Sequence, residues 1–212
     1  MKMEQPMEKI PPSLKIIYIL TIAILIWSGV GPYDRFTWIL EVFPGVVGII
    51  LAGYFVMKHR ITNIAVLAIA LHSIILFVGG RYTYARVPMG DWVSEVMGWD
   101  RNHYDRFAHI AQGFFPAIFF REMIFGRIKS ASKFWSGAVI VSMCLAFSAF
   151  YEIIEFGVAK LSGENAEDFL GTQGDQWDTQ WDMTMALLGS IVSIITLGRY
   201  HSQMLSKGDS HK

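Results

Sequence analysis

ITNIAVLAIALHSIILFVGG, residues 61–80, contains no Asp, Glu, Lys or Arg. A helix rising about 1.5 Å per residue needs ~20 apolar residues to cross ~30 Å of hydrocarbon, so this stretch alone has membrane-spanning length. Working outward from it, further charge-free runs cover Ile16–Tyr33, Val42–Met57, Phe107–Phe120, Phe134–Tyr151 and Met183–Gly198. The shorter runs reach spanning length by taking in charged residues at their ends. The reading is an all-α integral membrane protein. It has six transmembrane helices in one bundle and a single domain, with spans at 14–31, 38–57, 61–80, 105–124, 134–158 and 180–198.

Composition agrees: 53% of the 212 residues are hydrophobic, 17% are charged, and the mean hydropathy is +0.38. A net charge of zero argues against nucleic acid as a partner; membrane lipids are the expected surroundings, and protein partners are not legible. The single cysteine, Cys144, excludes an intrachain disulfide framework and a cysteine zinc cage. Lys2, Lys9 and Lys15 precede the first run as in a signal peptide, but it leaves through SGVGPYDRF with no small-x-small cleavage site. It therefore reads as a retained helix.

With six spans, twelve lysines and arginines fall on the side of the termini and six on the other. The positive-inside rule then puts both termini in the cytoplasm. Most acids, and six of the seven tryptophans, fall on the outer side. Interfacial tryptophans normally occur at both faces, so this asymmetry points to an elaborated outer mouth. Two long outer segments serve it. RYTYARVPMGDWVSEVMGWDRNHYDR, residues 81–106, contains a short interfacial helix near 88–99, expected to start at Pro88 with Asp91 as its cap. SGENAEDFLGTQGDQWDTQ, residues 162–180, has glycine-bounded turns around Gly163 and Gly171 to Gly174.

Polar residues inside the spans are the candidate site. A carboxylate in hydrocarbon is costly unless paired, hydrated, protonated or metal-bound, so such groups face the bundle interior. Glu152 and Glu155, three apart, share one face of the fifth span. Asp105, His109 and Gln112 form a stripe at the start of the fourth span, and Asp178 and Asp182 another at the start of the sixth. His72 and Glu41 add an imidazole and a carboxylate from the third and second spans. All lie in the outer half, an agreement in depth that independent helices would not reach by chance.

Three readings compete. In the first, Arg81, Arg86, Arg101 and Arg106 neutralise the acids and the cluster only ties loops to helix ends. In the second, Asp105, His109, Glu152, Glu155, Asp178 and Asp182 hold a divalent metal ion, as helical carboxylates and histidines do in bundles. His109 or Glu155 then serves as general base and Arg106 orients a phosphate. In the third, the acids line the proton or cation path of a transporter. His72, taken alone, reads as a histidine hydrogen-bonded to a neighbouring helix and not as a ligand, and Gly45, Gly48 and Gly53 permit close helix contact.

The blocks YDRFAH, FYEIIEF and GTQGDQWDTQWDMTMALLG give the chain a resemblance to the bacterial inner-membrane family called YjdF, over nearly its whole length. That resemblance implies a six-span protein of the bacterial cytoplasmic membrane and names no reaction. The last three spans also resemble the VanZ-like membrane proteins, associated with teicoplanin resistance: Asp105-Arg106 with His109, then Glu152, then Asp182 and Gly189 follow that pattern. Arg106, Glu155 and Ala186 stand where the pattern has Lys, Gln and Asn. The shared order implies a common outer-leaflet site, and an outward-facing site beside lipid suits envelope lipids or cell-wall intermediates.

Overall fold

Each apolar run becomes a helix. The computed structural model describes residues 11–58, 61–124, 132–162 and 172–209, and all regular structure among them is helical. In chain order the helices are α1 (Pro12–Gly29), α2 (Arg35–Met57), α3 (Asn63–Tyr82), α4 (Pro88–Met97), α5 (Tyr104–Ile124), α6 (Lys133–Ser162) and α7 (Asp178–Asp209). Helices α1, α2, α3, α6 and α7 are long and apolar enough to cross a membrane. Ile19, Ile50, Phe150 and Ile195 stand more than half exposed on them, a pattern that suits hydrocarbon and not water. The chain is an all-α membrane protein.

Helix α5 is equally long, at 21 residues, but carries charge at both ends. Its position makes this tolerable: it is the central helix, packed against α3, α6 and α7, while α3 packs against α1 and α2. The bundle is thus two three-helix groups joined through α3 and α5. Small residues allow the close approach. Gly45 of α2 lies against the Phe77 ring of α3, and Ala108, Ala111 and Ala117 of α5 are buried.

Helix ends follow local chemistry. Asp34 caps α2 by accepting from the Thr37 N–H at 2.7 Å. Trp38 donates its indole N–H to Ser28 Oγ at 3.0 Å, fastening the end of α1 to α2. The interfacial helix α4 starts at Pro88, but Asp91 does not cap it. Val87 holds the cap position, and Asp91 sits four residues in, where its carboxylate accepts from Asn102 Nδ2 at 2.7 Å. At the far end, α7 continues past the expected span end at 198, because no proline or turn residue interrupts it after Gly198. Arg121 of α5 braces this extension by donating to the Gly198 carbonyl and to Ser202 Oγ.

Candidate functional site

Two helical stripes meet at the end of the bundle that carries α4. On α5, Asp105, His109 and Gly113 are each four residues apart; on α7, Asp178, Asp182, Ala186 and Gly189 follow the same face. The crossing is fixed by two glycines. A Cβ on Gly113 would stand 1.8 Å from the Ala186 carbonyl oxygen, and one on Gly189 2.1 Å from that of Ile110. Backbones therefore touch, and the side chains one and two turns above them are forced together. The ligand-type atoms of Asp105, His109 and Asp182 lie within 4.8 Å of one another.

All three residues are at least nine-tenths buried, as is Glu152. His109 Nε2 is 3.6 Å from Asp105 Oδ1 and 3.8 Å from Glu152 Oε1. Asp182 Oδ1, Glu152 Oε1 and His109 Nδ1 are buried with no hydrogen-bond partner among the described residues. Buried polar atoms are normally satisfied, so unpartnered atoms on all three of these neighbouring residues leave capacity that a cation would use.

Glu155 lies beside this group, not in it. It lines a narrow neck of about 30 Å³ together with Glu41, His72, Tyr84, Asp105, His109, Gln112 and Tyr151. Glu41 accepts from the Tyr151 hydroxyl at 3.1 Å. His72 Nε2 is buried without a partner among the described residues, so the expected hydrogen bond to a neighbouring helix is not made through that atom.

Asp178 goes elsewhere. Its Oδ1 is 2.8 Å from Arg101 Nη1, and Asp175 accepts from Arg106 Nη2 at 2.5 Å and from Arg101 Nη1 at 3.4 Å. Arg106 also lies over the Trp181 ring, 5.4 Å from its centroid. Arg106 is thus held by Asp175 through Nη2. Arg81 donates to the carbonyls of Trp27 and Val30, at 2.6 Å each, and Arg86 lies over the Tyr33 ring. Arg101 and Arg106 therefore balance Asp175 and Asp178. Glu41, Asp105, Glu152, Glu155 and Asp182 remain around two histidines.

The segments flanking α4 and leading into α7 are clasped over the site by Asn102, which no sequence pattern singled out. Its side chain donates to the Val87 carbonyl and to Asp91 and accepts from the Tyr104 N–H, while its backbone exchanges two hydrogen bonds with the Gln173 amide. Next to it, partial burial and then the guanidinium groups of Arg106 and Arg101 push the His103 imidazole below its ordinary pKa. Gly163, Gly171, Glu164, Glu167 and Asp168 lie outside the described residues.

Tyr84 was also not legible from sequence. Thr83 and Tyr84 both hold left-handed backbone, with φ 54° and 52°, and the Tyr84 ring folds back over Gly79 into the neck. Bulky residues adopt this region at a cost of about 1 kcal/mol or more, which the surrounding packing must offset. A second buried cluster lies at the opposite end: Glu122 accepts from His201 Nε2 at 2.9 Å and from the Thr62 N–H and hydroxyl. Its members are 60 and 79 residues apart, so no local spacing in the sequence points to it.

Comparison with known proteins gives the same outline. Inner membrane protein YjdF of Escherichia coli (strain K12) is 42% identical over 184 residues, which is 87% of this chain and 88% of the relative. No solved structure matches the chain. The family model described as "Predicted membrane protein (DUF2238)" matches residues 13–203, so the chain belongs to that family.

Proposed function

We propose that the chain is a multi-pass protein of the bacterial inner membrane, with both termini in the cytoplasm, whose outward-facing pocket binds a divalent metal ion and acts on envelope lipids or cell-wall intermediates. The location is supported by the name of its E. coli relative, and the orientation by the excess of basic residues on the side of the termini. The observation that carries the metal reading is the convergence of buried Asp105, His109 and Asp182 within 4.8 Å, with Glu152 at hand as a fourth donor. Two carboxylates with one imidazole suit Mg²⁺, Mn²⁺ or Zn²⁺. Such an ion supplies charge neutralisation and polarises a bound oxygen.

Glu155 is the better general base, because His109 belongs to the ligand group and Glu155 lines the adjoining neck. The transporter reading is weaker. Between α5 and α7 a proton or cation path is closed, because Gly113 and Gly189 leave no room between those two helices, and the groove between α2 and α6 is apolar.

The test is elemental mass spectrometry of detergent-purified protein prepared without chelator, beside Asp182→Asn. One equivalent of metal in the native chain, lost in the variant, supports the site. Metal-free native protein overturns it in favour of a structural cluster.

A further inference from the structure

Beside the acidic cluster, an apolar groove of about 590 Å³ runs between α2 and α6, with α3 and α5 behind it. This is within the ~300–1,000 Å³ usual for a ligand pocket. Along α2 its wall is Ile39, Phe43, Val47 and Leu51, a strict every-fourth stripe that extends ~18 Å at about 1.5 Å per residue. Phe150 and Ile154 of α6 face it. Phe43 and Phe150 are more than half exposed at its rim, so the groove opens sideways into the bilayer.

The groove is continuous with the polar neck. Pro44, His72, Phe147 and Tyr151 line both, and from there the neck reaches Glu41, Asp105, His109 and Glu155. The two prolines add polarity at this junction. Pro44 has no N–H to serve the Leu40 carbonyl, which instead lies 3.5 Å from the Tyr151 hydroxyl, and Pro116 likewise leaves the Gln112 carbonyl without its helical donor. His72 Nε2, buried and unpartnered among the described residues, is at the same junction.

We infer that this groove binds a bilayer lipid of the leaflet nearest α4, its hydrocarbon chain along the Ile39–Leu51 stripe and the oxygen atoms of its polar end at His72 and the mouth of the neck. Water is a poor occupant of so apolar a channel, and an empty one would forfeit the dispersion contacts of its lining. The polar junction opens midway along the groove: Pro44 falls between Ile39 and Leu51 on α2, and His72 is the tenth of the twenty residues of α3. This deepens the metal-site reading and rests on it only for the reaction: the substrate is an amphiphile that enters laterally from the membrane.

The test is native mass spectrometry of delipidated protein given palmitoyl-oleoyl phosphatidylglycerol. One lipid is expected to stay on the native chain at collision energies that strip the others. Val47→Trp and Ile154→Trp fill the groove from opposite walls, and either should lose that lipid, whereas Ile195→Trp on the open face of α7 should keep it. Retention by both groove variants at the native level, or loss in Ile195→Trp as well, overturns the inference. Metal content read on the same samples separates the two proposals: Val47→Trp should keep its metal, and Asp182→Asn should lose metal and keep its lipid. Metal-free native protein that still holds one groove-dependent lipid sinks the metal reading alone.

Discussion

Gly113 and Ala186 meet backbone to backbone: a methyl group on Gly113 would lie 1.8 Å from the Ala186 carbonyl oxygen. This contact and its partner at Gly189 set the register that brings Asp105 and His109 to Asp182. Gly113→Ala and Gly189→Ala should each destabilise the fold by ~3 kcal/mol or more, at or above the usual overpacking range, since the obstructing atoms are backbone. Both should also weaken metal retention. Gly157→Ala meets nothing within 4 Å among the described residues and should be neutral or stabilising by up to ~1 kcal/mol. Thermal unfolding in detergent, with metal content, checks all three.

Glu155 lies in the neck and outside the ligand group. Glu155→Gln is therefore expected to bind metal like the native chain, in contrast to Asp182→Asn, and to lose activity once a substrate is found. Equal loss of metal in both variants would place Glu155 among the ligands.

Arg101 sits against Asp178, whose residue is only 4% exposed. Arg101→Gln strands that carboxylate and should cost ~3–5 kcal/mol, as for other buried pairs broken from one side. The double variant Arg101→Gln, Asp178→Asn should recover most of this. A double variant no more stable than the single would show that the pair contributes little.

Glu122 joins Thr62 and His201 across three helices, far from the acidic cluster. Glu122→Ala leaves their donors unpaired and should destabilise by ~1–3 kcal/mol. Metal content should not change. Altered metal content would mean that the two ends of the bundle are coupled.

His103 titrates below its ordinary value of 6.5 in the folded protein, by partial burial first and then by Arg106 and Arg101. Between the two pKa values the unfolded chain binds more protons. Its contribution to stability is therefore present above the unfolded value and is lost as the pH falls through the window beneath 6.5. His103→Gln should flatten the acid side of the melting-temperature profile. An unchanged slope would remove His103 as its source.

The charge-free runs determined by themselves that the chain crosses a membrane, since length and apolarity are local properties. The spacing of Asp105 with His109, and of Asp178 with Asp182, likewise settled which side chains share a helical face. Tertiary structure alone decided their partners. Asp178 and Asp182 are one turn apart on α7, yet one faces Arg101 and the other faces Asp105 and His109. The stripe Ile39, Phe43, Val47 and Leu51 reads as an ordinary lipid-facing surface until α6 is placed opposite it. Helical periodicity sets the direction of a side chain within its own helix, but what it meets depends on the register between helices. Here that register is set by backbone contacts at Gly113 and Gly189, between segments distant in the chain.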